Sequence, residues 1–77
     1  MFLVTTKTIS RTTAHWHTTL WAAHTHFQRQ TKIPGATVYL SQVPDLKNPT
    51  LWELDNYAAE LAPHVPNTGT PLLKEKR

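Results

Sequence analysis

Four histidines within twelve residues, His15, His17, His24 and His26, are the constellation in this chain best suited to chemistry. Imidazole is a ligand for zinc, copper, nickel and iron, and four of them can close a tetrahedral site. Whether these four meet depends on the local fold. In a hairpin centred between Leu20 and Trp21, His15 pairs with His26 and His17 with His24, and all four project from one face. That turn would lack the Gly, Asn or Asp that tight hairpins need for positive φ. In a continuous helix the two pairs fall on nearly opposite faces. Their members are then separated by about 16 Å and about 10 Å along the axis, at 1.5 Å per residue. No single ion bridges either gap. A metal site at His15, His17, His24 and His26 therefore requires the hairpin, and with a helix the four are surface imidazoles. In either case they add charge below about pH 6.5.

Other chemistry has less support. The chain has no Cys, two Ser (Ser10 and Ser41), two Gly and no nucleophile motif, so neither a thiolate nor a Gly-rich phosphate loop is available. Glu53 and Asp55 stand two apart, on different sides of any helix, and read as a solvated face. No catalytic residue is assigned and no cofactor is expected. Basic and aromatic residues interleave in the first half (Lys7, Arg11, Trp16, Trp21, Phe27, Arg29, Lys32), a mixture that suits phosphate contacts with base stacking. No helix-turn-helix, zinc-finger or RNP signature accompanies it.

The elements that must position these residues follow from pattern. Phe2–Ile9 and Ala36–Val43 are β-branched runs free of Gly and Pro, and both predict strands. Thr50–Ala62 predicts a helix: Leu51, Leu54, Ala58 and Leu61 make one stripe, Thr50 and Glu53 match a capping box, and Pro63 ends it. Across Thr13–Gln30, the residues Trp16, Leu20, Ala23 and Phe27 gather on one helical face, while a period of two gives poor alternation. A helix is favoured there, with Trp16, Leu20 and Phe27 as core. Residues 64–77 read as an extended basic tail with Pro66, Gly69 and Pro71. Its Leu72-Leu73-Lys74 is an apolar-plus-basic piece of the kind that folds on binding.

Together these give an α/β domain over residues 1–63. The expected order is β-α-β-α, in two layers: a two-stranded parallel sheet joined by a right-handed crossover, with two helices on one face. Seventy-seven residues without disulfides bury a thin core, so part of the stability is expected from a partner. The partner would be a larger protein, a ribonucleoprotein, or a second copy. The net charge of +3 divides into +4 over residues 1–44, which contain no acid, and −1 over residues 45–77. An acid-free, Thr-rich first segment also resembles an organellar address in composition. An intracellular location is favoured, an organellar one stays open, and no apolar run is long enough to span a membrane.

Trp21 and Trp52 lie off their helical stripes, and a protein with so little core gains nothing by leaving two indoles in water. With Arg11, Arg29 and Lys32 they are the expected partner contacts. The function expected is that of a small non-enzymatic binding protein, an accessory subunit or a regulator of another macromolecule. The alternatives are a sequence-tolerant nucleic-acid binder using the acid-free half, and a metal binder if the histidine hairpin forms.

Overall fold

The computed structural model describes residues 1–76. Strands β1 (Phe2–Lys7) and β2 (Thr12–His17) precede helix α1 (Leu20–Gln30). Strand β3 (Thr37–Gln42), helix α2 (Leu51–Leu61), a 3-10 turn (Ala62–His64) and strand β4 (Thr70–Lys76) follow. The sheet order is β2-β1-β3-β4, and every pair is antiparallel.

This corrects the expectation of a two-stranded parallel sheet, although the α/β class stands. The cause is β2. Thr8 closes a tight turn by donating its N–H to the Arg11 carbonyl at 2.9 Å, and its hydroxyl accepts the Arg11 N–H at 3.3 Å. The chain therefore reverses once before α1, so β3 arrives antiparallel to β1 instead of parallel. The continuous helix expected over Thr13–Gln30 is likewise two elements. Thr19 ends the strand and caps the helix, its hydroxyl accepting the Ala22 N–H at 3.2 Å.

β1 is central, and both of its faces must be covered. Leu3 and Val4, adjacent and therefore on opposite faces, are both fully buried. On the Val4 face, α1 inserts Ala23 and Phe27 against Val38 and Leu40. On the Leu3 face, Ala58 of α2 and Val65 join Val43, with Trp16, Tyr39 and Tyr57 packed around them. The helices thus lie on opposite faces, giving three layers and not the two expected. Of the predicted Trp16/Leu20/Phe27 core, only Phe27 is buried under α1. Trp16 packs on the α2 side, and Leu20 is half exposed. Helix α2 forms as its sequence predicts: Thr50 and Glu53 complete the capping box, and Leu54 and Ala58 are buried.

β4 lies in the segment read as an extended tail. It pairs along β3 from Thr37↔Lys76 to Leu40↔Leu73, then slips so that Ser41 meets Pro71 and Leu72 is the extra residue. Gly69 makes its entry, with φ +68° and a Cα so close to β3 that a Cβ would lie 2.4 Å from the Gln42 carbonyl oxygen.

Candidate functional site

An apolar groove runs between the N-terminal half of α1 and strand β4. Helix α1 covers the sheet over β1 and β3 but leaves β4 uncovered. Leu73, opposite Leu40 in the ladder, is 42% exposed there, and the slipped residue Leu72 is 39% exposed. From α1, Leu20 (51%) and Trp21 (79%) form the other wall, with His24 beside them. Buried Leu40 also lines the groove, whose volume is about 480 Å³. His24 is its one titratable lining residue among those described.

The five predicted contact residues fall in three places. Trp21 lines the groove. Arg29 sits in the last turn of α1 with Lys32 just beyond, about 12 Å or more along the helix from Trp21. Arg11 joins that same end, since the β1–β2 turn shares a surface depression with Gln30, Ile33 and Pro34. Trp52 is on α2, across the sheet, 75% exposed beside Leu46, Tyr57 and three polar residues. Trp21 and the basic set therefore do not form one strip. Leu20, expected in the core, and Leu72 and Leu73, expected in the extended tail, are groove walls instead. Their signal in the sequence is the apolar Leu72-Leu73 pair, which nothing in the pattern sets against α1.

The histidines also separate. The hairpin on which a four-histidine metal site depended does not form, because β2 ends at His17 and α1 begins at Leu20. Among the described residues, no three His, Asp or Glu side chains are placed to hold a metal ion. His24 goes to the groove. The other three converge where β2 meets α1: His17 Nε2 lies 2.9 Å from His26 Nδ1, and the His15 and His17 rings stand edge-on to His26 at 4.9 and 5.0 Å. Burial first, then the neighbouring His15, lowers His17 below the usual 6.5. His26 is lowered in the same way, by burial, then His15, His17 and Arg29.

Glu53 and Asp55 have separate structural tasks. Glu53 caps α2, and Asp55 accepts the Trp16 indole N–H at 2.9 Å. No described helix is long and apolar enough to cross a membrane. Comparison with protein-family models, curated proteins and solved structures finds no match to this chain.

Proposed function

We propose that this chain is a small non-enzymatic binding protein, an accessory subunit or a regulator, that seats an apolar segment of a protein partner in the α1/β4 groove. The observation that carries this reading is the convergence of Leu20, Trp21, Leu72 and Leu73, all partly exposed, around one depression. Scattered apolar side chains are ordinary on a protein surface, whereas a contiguous patch marks a contact site. Full burial of each such side chain is worth about 1.5–3 kcal/mol, and an indole at the rim is a typical hot-spot residue. The test is binding of the captured partner by Trp21→Ala, expected to weaken about thirtyfold, equivalent to about 2 kcal/mol. Undiminished binding would remove the groove from the account.

The second reading, a sequence-tolerant nucleic-acid binder, draws on Arg11, Arg29 and Lys32. These are exposed at one end of the molecule, and none has an ion-pair partner among the described residues. Its signature is steep weakening with salt, together with loss of binding when the three are changed to Glu.

A further inference from the structure

We propose that His15, His17 and His26 form a proton-operated latch that holds α1 against edge strand β2 and loosens it on acidification. The His17–His26 contact is a hydrogen bond between two ring nitrogens 2.9 Å apart, so one must carry a hydrogen and the other must accept it. The pair can hold one added proton with the bond intact. A second leaves two N–H groups facing each other without an acceptor. His15, edge-on to His26 at 4.9 Å, brings a third imidazole to the cluster.

No described carboxylate makes a hydrogen bond or ion pair with the cluster. From α1, the neighbouring charged group is Arg29, which is also positive. From β1, the residues on this face are Phe2, Val4 and Thr6, and the Thr6 hydroxyl is engaged with Gln30 Oε1 at 3.0 Å. β3 contributes Val38 and Leu40. Asp45, which shares a depression with Thr18 next to His17, is paired with the Met1 ammonium. Of the strand residues on this face, the carboxylate is Glu75, opposite Val38 on β4. Three strand spacings, about 14 Å, separate β4 from β2. The lowered proton affinity of His17 and His26 agrees with a site that resists charge.

Apart from the cluster, α1 is held by Ala23 and Phe27, the two of its eleven residues that are buried, and by the Thr6–Gln30 hydrogen bond. α1 also carries Leu20, Trp21 and His24, so loosening it disturbs one wall of the groove. That consequence rests on the docking reading above, but the latch itself does not.

The experiment is amide hydrogen exchange on the full chain without a partner, corrected for intrinsic rates, between about pH 7.5 and about pH 5. Protection of α1 amides is expected to fall by about an order of magnitude on acidification, while α2 amides keep theirs. His26→Asn places a neutral amide near the Nδ1 position, and His17→Gln places one near Nε2. Each should make α1 protection insensitive to pH, and His17→Gln decides the matter if His26→Asn does not fold. Equal protection of wild-type α1 at both pH values, or the same acid-induced loss in the variants, overturns the latch. Neither result depends on whether the groove binds anything.

Discussion

The Trp16 indole on β2 donates to the Asp55 carboxylate on α2 at 2.9 Å, fastening the edge strand to the helix beneath it. β2 has only β1 as a strand neighbour, so this bond and the packing of Trp16 around the Leu3 cluster anchor its outer side. Asp55→Ala should therefore destabilise the protein by about 1 kcal/mol, less than the ~1.5–3 kcal/mol of a buried charged acceptor because Asp55 is exposed. Urea unfolding of the variant and wild type measures this, and an unchanged midpoint would show the bond to be dispensable.

The opposite face of β2 makes stability depend on pH. His17 and His26 have native proton affinities below the ordinary 6.5, while the unfolded chain titrates near that value. Between 6.5 and the lowered native values the unfolded state holds more protons, so stability rises with pH. The contribution is complete above the unfolded value and disappears as pH falls through the native ones. Urea midpoints should drop between about pH 7.5 and about pH 5, and His17→Gln should flatten that part of the profile.

Thr5 is fully buried in β1, and its hydroxyl has no hydrogen-bond partner. An unpaired buried hydroxyl costs about 1–3 kcal/mol, and Val has nearly the same shape without it. Thr5→Val should raise stability by about 1 kcal/mol, or about 4–8 °C in melting temperature for a domain of this size. A fall would mean that the hydroxyl is satisfied in solution.

Gly69 combines a positive φ with backbone proximity: a Cβ would sit 2.4 Å from the Gln42 carbonyl oxygen and 2.9 Å from Val43 Cγ1. Gly69→Ala should cost at least about 2 kcal/mol, and β4 should lose amide protection before the rest of the sheet. Uniform loss across all four strands would show that β4 is not separable in this way.

The legible elements are those whose own side chains report burial. β1 and β3 are β-branched and buried, and α2 carries both a stripe and a capping box. β4 was illegible as a strand for the converse reason. All seven of its residues are exposed, so no alternation marks it, and its order comes from backbone pairing with β3. β2 was hidden by a coincidence of spacing: Trp16 fits the helical stripe of Leu20, Ala23 and Phe27, yet belongs to the opposite face of the sheet. The Thr18-Thr19 junction was the available sign, since Thr19 is a competent N-cap. With that break missed, the meeting of His15 and His17 with His26 could not be foreseen. For the candidate site, Trp21 was legible as an indole off its stripe, but its partners Leu72 and Leu73 became visible only with β4 in place.

The central claim is that the α1/β4 groove, and not the basic end of the molecule, binds the partner. The direct measurement is affinity capture from the source cells after nuclease treatment, at about 50 and about 200 mM salt. It compares wild type, Trp21→Ala, and the triple change of Arg11, Arg29 and Lys32 to Glu. A protein partner should be retained at both salt concentrations by wild type and by the triple variant, and lost with Trp21→Ala. Retention by Trp21→Ala, with loss on nuclease treatment, at the higher salt, or in the triple variant, would contradict the account.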